Sequence, residues 1–344
     1  MTSAMPRFQT ALILFLALSA CSPLPAQATQ PTTAISNPVS ATITPPSLSG
    51  VTPSAMQIPS STVTNSPAAT LAPTQTFVPS LTPDSRLKPE QWQDWPVIPT
   101  LSARARALYQ AGLALGNNPK AFSKIGDCQN IPSHFLAAFD DPQFYKLGAT
   151  FDSLQPVINQ FKGSFNRESA AVRNGFNVAA VLSPLQADPA VCQPRENSVN
   201  CELRLYKPSI VLISMETWWA KKPADEYEKY MRQILNLVVA KKALPILATK
   251  ADNLEGDGSI NATLAKLAYE YDIPLWNFWK AVQPLPGEGV AKDGFHLTND
   301  SDSPDDPLFY RRLSTPTAMT FGWPVRNITA LQALNAVWRA ASQP

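Results

Sequence analysis

Histidine is nearly absent: the chain has two, His134 and His296, in 344 residues. No two-His spacing suits zinc, so no metal site is expected. Glycine is thinly spread, and no Gly-rich loop follows any strand-like segment. That excludes a phosphate-cradling nucleotide site, and no cofactor is expected. Neither sign of charge is in excess, at a formal +2, which leaves no electrostatic footprint for nucleic acid. Beyond the N-terminal region, no apolar run is long enough to span a bilayer. Between Arg7 and Asp84 there is no charged residue at all.

The uncharged stretch has two parts. Arg7, the apolar run from Ala11 to Leu18, and then Ser19-Ala20-Cys21 order the features of a secretory signal over residues 1–21. Leu18-Ser19-Ala20-Cys21 resembles the bacterial lipobox. That resemblance implies a lipid on Cys21 and an extracytoplasmic protein anchored to the cell membrane. Residues 22–86 are rich in Pro, Thr, Ser, Ala and Val, as in Thr44-Pro45-Pro46-Ser47. Such a segment buries too little apolar surface to offset chain entropy and reads as a disordered, semi-rigid tether. Residues 87–344 are enough for one α/β domain, and a monomer is expected.

Cysteine is also scarce, with four residues. Cys21 is the lipid candidate. Cys192 and Cys201 flank a polar loop and suit a local disulfide in an oxidising compartment. Cys128 is left over, and reads equally as an inert buried side chain or a reactive thiol.

Within the domain, strand-like and helix-like segments alternate. Gln91–Pro99, with Trp92 and Trp95, reads as a lead-in segment packed on the domain. A helix is expected at Ala103–Leu115, a strand from Phe122 to Cys128, and helices at Pro132–Asp140 and within Tyr145–Phe161. Ser169–Asn174 reads as a short strand, followed by Gly175 and a helix opening at Asn177. Ser209–Met215, apolar from Ile210 to Ile213 and rich in β-branched residues, reads as a strand buried on both faces. Further strands are expected at Leu244–Thr249 and Ile273–Phe278, with helices after Pro223, at Ile260–Tyr271 and at Asn327–Ala341. This alternation argues for a three-layer α/β/α fold with a mostly parallel central sheet.

Four short blocks carry the chemistry. Gly126-Asp127-Cys128 closes the first strand, where a thiol would share a crevice with the following helix N-terminus. Gly175 marks a turn that leaves a backbone N–H unobstructed. Glu216-Thr217-Trp218-Trp219 follows the Ser209–Met215 strand. Asp293-Gly294-Phe295-His296 lets a carboxylate bond one imidazole nitrogen and leave the other as a base. His134, within the expected apolar helix, reads as structural.

In that order the blocks resemble the SGNH/GDSL hydrolases, from about Lys124 to Ala341. The resemblance implies a flavodoxin-like α/β/α fold and acyl-ester hydrolysis. Cys128 would be the nucleophile, His296 the base and Asp293 its orienter. Gly175 and Cys128 N–H groups would hold the oxyanion. Two departures stand out. Cys128 replaces the family's Ser, and Trp218 stands where an oxyanion Asn is expected. With Asp127, Glu216, Trp218 and Trp219 at the same edge, a small-molecule or glycan ester is the expected substrate. The alternative is an inactive hydrolase fold in which Glu216 and the Trp pair bind a glycan or another ligand.

Overall fold

Four strands form a wholly parallel sheet in the order β1-β2-β3-β4: Asn118–Gly126, Pro208–Ser214, Leu244–Ala248 and Leu275–Trp276. The computed structural model describes residues 86–216, 223–251, 257–299 and 318–343. Cys21, the expected signal and tether up to residue 85, Trp218, Trp219 and residues 300–317 lie outside them.

Strand β2 is buried along its whole length, and its side chains alternate between two cores. Ile210 and Leu212 join Phe122, Leu244 and Ile246 on one face. There they meet helix α1 (Ala103–Ala114) and the closing helix α8 (Gly322–Ser342). Val211 and Ile213 join Ile125 and Leu247 on the other. That face is covered by α4 (Ser198–Tyr206), α5 (Ala224–Ala240) and α6 (Ser259–Tyr271). The chain is therefore a three-layer α/β/α domain. Each fully buried Leu, Ile or Val is worth roughly 1.5–3 kcal/mol. Short helices α2 (Gly148–Phe151), α3 (Gln155–Gln160) and α7 (Phe278–Val282) complete it.

The structure corrects several sequence expectations. Ser169–Asn174 is not a strand; only Val172 bridges, to Gly126. Side chains take the place of a ladder: Ser169 Oγ donates to the Lys124 carbonyl and accepts from Ala171 N–H, and Glu202 accepts from Ala170 N–H. The helix expected at Pro132–Asp140 is reduced to a 3-10 turn at Ala137–Asp140, because Leu136 takes a left-handed φ of 67°. Tyr145–Phe161 is broken into short turns of helix. The helix expected from Asn177 is a 3-10 turn, Ala180–Leu182. Cys201 lies in α4 rather than at the end of a loop, and its disulfide with Cys192 is formed.

The lead-in segment packs as expected. Trp92 is buried edge-on against Trp279 at 4.7 Å, and Asn277 Nδ2 donates to the carbonyls of Trp92 and Trp95.

Strand β1 also carries a buried lysine. Lys124 Nζ donates to the Phe165 carbonyl at 2.9 Å. Burial, then the nearby Arg167 charge, hold its pKa down to about 7. Between there and its ordinary value the unfolded chain binds a proton that the native chain does not. Stability therefore rises with pH through that window. Lys124→Met should flatten this rise, measured by urea unfolding at about pH 6 and about pH 9. An equal slope in both proteins would show that Lys124 titrates normally.

Candidate active site

The site is built at the C-terminal end of β1. Gly126 pairs with Ser214 of β2 on one side and bridges Val172 on the other. The chain thus leaves β1 to one side and returns on the other. The C-terminal ends of the strands are where open α/β sheets form their ligand crevice. A Cβ on Gly126 would lie 2.1 Å from Asn130 Nδ2, so no side chain fits there.

Asp127 caps the 3-10 turn Cys128–Asn130, which brings the thiol to the turn's first position. The Asp127 carboxylate accepts from Gln129 N–H at 3.1 Å and Glu216 N–H at 2.7 Å. Asn130 Nδ2 donates to the Ser214 carbonyl at 2.8 Å. Asp127 is fully buried and ties the Cys128 turn to the end of β2. It is scaffolding for this turn, not a group presented to substrate. Cys128 is outside the disulfide and 6% exposed.

The Asp293–His296 loop reaches this turn. Gln129 Nε2 donates to the Phe295 carbonyl at 3.1 Å, across 166 residues of chain. Within the loop, His296 Nδ1 lies 2.6 Å from Asp293 Oδ2. Asp293 Oδ1 accepts from the N–H groups of Phe295 and His296. Partial burial works against the Asp293 carboxylate. The hydrogen bonds from Phe295 N–H and from the His296 ring and N–H outweigh it and hold the carboxyl below its ordinary value. Asp-x-x-His therefore has the geometry read from its spacing, with Nε2 left to act as a base.

Helix α8 clamps all three segments through its first two turns. Gly322 N–H bonds Thr298 Oγ1, and Trp323 N–H bonds the Thr298 carbonyl, two residues beyond His296. Asn327 Oδ1 accepts from Leu136 N–H, and its Nδ2 donates to the His134 carbonyl. Arg326 forms an ion pair with Glu216, and its Nη2 donates to Ser214 Oγ at 2.8 Å. A Cβ on Gly322 would meet the Gly289 carbonyl oxygen at 2.2 Å, so glycine alone lets the helix approach the His296 loop this closely.

No protein-family model matches this chain, and no match is found among curated proteins. The site is therefore read from its own geometry.

That geometry separates the sequence candidates. It brings Asp127, Cys128, Asp293 and His296 into one edge of the domain. It buries Glu216 at the end of β2. The Glu216 side chain is buried against Arg326, and the fully buried guanidinium lies over the rings of Phe135, Phe278 and Trp276. Burial raises the Glu216 carboxyl above its ordinary range, Arg326 opposes the shift, and Asp127 adds to it. Trp218 and Trp219 lie outside the described residues. Gly175 sits in an exposed turn with φ +81°, a conformation that favours glycine.

A cavity of about 570 Å³ lies between the segment after Cys128 and the Gly175 turn. Ile131, Pro132 and Ser133 form one wall, and Val172, Asn174 and Phe176 another. Its volume is in the range of small-molecule sites, and none of the predicted site residues lines it. A smaller cavity, about 330 Å³, opens beside Trp95, Tyr269 and Pro274 and touches none of the predicted site residues.

Sequence reasoning missed Gln129, Asn130, Thr298, Arg326 and Asn327. Gln129 and Asn130 directly follow the Gly-Asp-Cys block, and that adjacency was the available signal. Arg326 carried a weaker one: a charge in an otherwise apolar helical stretch.

Proposed function

We propose that this chain is an extracytoplasmic acyl-ester hydrolase of SGNH/GDSL type, working through a Cys-His-Asp version of the triad. The observation that carries it is the Gln129–Phe295 hydrogen bond. It joins the thiol's turn to the loop in which Asp293 already orients His296. Cys128 attacks the ester carbonyl, and its proton passes to His296. His296 then protonates the departing alkoxide, leaving a thioester. Water, deprotonated by His296, releases the acid and restores the thiol. Asp293 holds the imidazole in the required tautomer throughout.

The formed Cys192–Cys201 disulfide favours an oxidising compartment, in keeping with a lipid anchor at Cys21. Carbohydrate or envelope esters are the substrates we favour, with no cofactor, on the size of the cavity walled by Ile131, Pro132 and Ser133, the segment that follows the Cys128 turn. The test is hydrolysis of short acyl esters by the protein, beside Cys128→Ala and His296→Ala. Loss in both variants, with the wild type active, is the expected outcome. Turnover unchanged in His296→Ala would reject the mechanism. An inactive but folded wild type with a reduced Cys128 would favour a glycan-binding module on the same fold. The burial of Cys128, at 6% exposure, is the observation on that side.

A further inference from the structure

The chain's two histidines lie at the same site, and only one of them has a role in the mechanism above. His134 has moved out of the helix expected for it and into the turn between Cys128 and Ala137. Its ring packs on Trp323, with centroids 5.3 Å apart and planes 36° apart. Trp323 in turn bonds Thr298, beside the His296 loop. The His134 carbonyl is held by Asn327 Nδ2, and two residues later Asn327 Oδ1 takes the Leu136 N–H. The price is a non-glycine residue at φ 67°. A strain of this kind persists only when its surroundings over-determine it, and it clusters at functional sites. Among the described residues, nothing hydrogen-bonds the half-buried His134 ring, whereas the backbone on both sides of it is fastened. Ser133, the preceding residue, lines the 570 Å³ cavity.

We propose that His134 is a further catalytic residue, a neutral imidazole whose N–H donates to the oxyanion formed when Cys128 attacks the ester. The inference rests on the hydrolase reading above. In that step the S–C bond forms and the carbonyl π electrons move onto oxygen. The His134 N–H bonds that oxygen without giving up its proton. When the C–O bond to the alcohol breaks, those electrons return to the carbonyl, and His296 supplies the proton to the leaving group. A donor is needed here because Trp218 stands where an oxyanion amide is expected. An imidazole suits the place only if it stays uncharged at working pH. Burial, then repulsion from protonated His296, both lower the His134 pKa and keep it neutral. His296 is the titratable group that acts on it from the facing loop.

The test compares wild type, His134→Phe and His134→Gln as full-length proteins on a short acyl ester. Phenylalanine keeps a ring on Trp323 and removes the N–H; glutamine restores an N–H donor. We expect kcat to fall about 10²-fold in His134→Phe with KM nearly unchanged, and to recover in part in His134→Gln. Wild-type kcat in His134→Phe would overturn the inference and leave the hydrolase reading standing. An inactive wild type would overturn the hydrolase reading and the donor role with it. The NMR titration of His134 then tests the shared site without turnover. The His134 pKa should rise in His296→Gln, because the neighbouring charge that lowers it is gone. An unchanged titration would overturn the shared site itself.

Discussion

Arg326→Ala is expected to destabilise the domain by about 3–5 kcal/mol, because it strands a buried carboxylate. Arg326 and Glu216 are both almost wholly buried and face each other across the end of β2. Without the guanidinium, Glu216 keeps one hydrogen bond, from Ser214 Oγ, and the weaker attraction of Lys250. Its remaining recourse is to bind a proton, which burial already favours. The sign of the pH effect follows. A native Glu216 holding a proton that the unfolded chain has released makes stability fall as pH rises above the ordinary carboxylate range. The variant should therefore lose more stability at about pH 8 than at about pH 5. Replacing both residues, Arg326→Met with Glu216→Leu, should recover most of the loss, since apolar substitutes for a buried pair are often near neutral. Urea unfolding of Arg326→Ala, and of wild type, Arg326→Met, Glu216→Leu and the double variant as a double-mutant cycle, measures this. A single-variant cost below about 1 kcal/mol would mean that the pair is solvated.

Asp293→Asn should lower kcat on the order of 10²–10⁴-fold, provided the chain is the hydrolase proposed above. Asparagine still offers Oδ1 to the N–H groups of Phe295 and His296, so the loop turn survives. What changes is the partner at His296 Nδ1, now 2.6 Å from a carboxylate oxygen. An amide N–H there would repel Nδ1–H and favour the tautomer protonated at Nε2, which leaves that nitrogen no lone pair to act as a base. KM should stay nearly constant, because Asp293 acts through His296 rather than on substrate. Asp293 is half exposed, so water can stand in for part of the lost bond, which sets the lower end of the range. An Asn variant as active as wild type would show that His296 needs no orienting partner.

Much of the fold was legible in the sequence because its signals are local. Within Ser209–Met215 every position from Ile210 to Ile213 is apolar, and only a strand covered on both faces uses such a run. Tyr227, Met231, Ile234 and Val238 repeat at helical spacing, and all four are buried in α5. Asp293 and His296 are three residues apart, so one turn of backbone makes their contact. Cys192 and Cys201 are nine apart, and their pairing too was readable.

The rest was decided by tertiary contacts. Leu136 breaks an expected helix because Asn327, 191 residues away, takes its N–H. Ser169–Asn174 loses its ladder to the side chains of Ser169 and Glu202. Glu216 ends under the site because Arg326 reaches it from the last helix. Gln129 meets Phe295 only because the sheet brings its first strand and the final loop to one edge. Composition and periodicity report which surfaces a segment buries. They do not report which distant polar group will satisfy a given N–H or carboxylate, and at this site those long-range partners set the geometry.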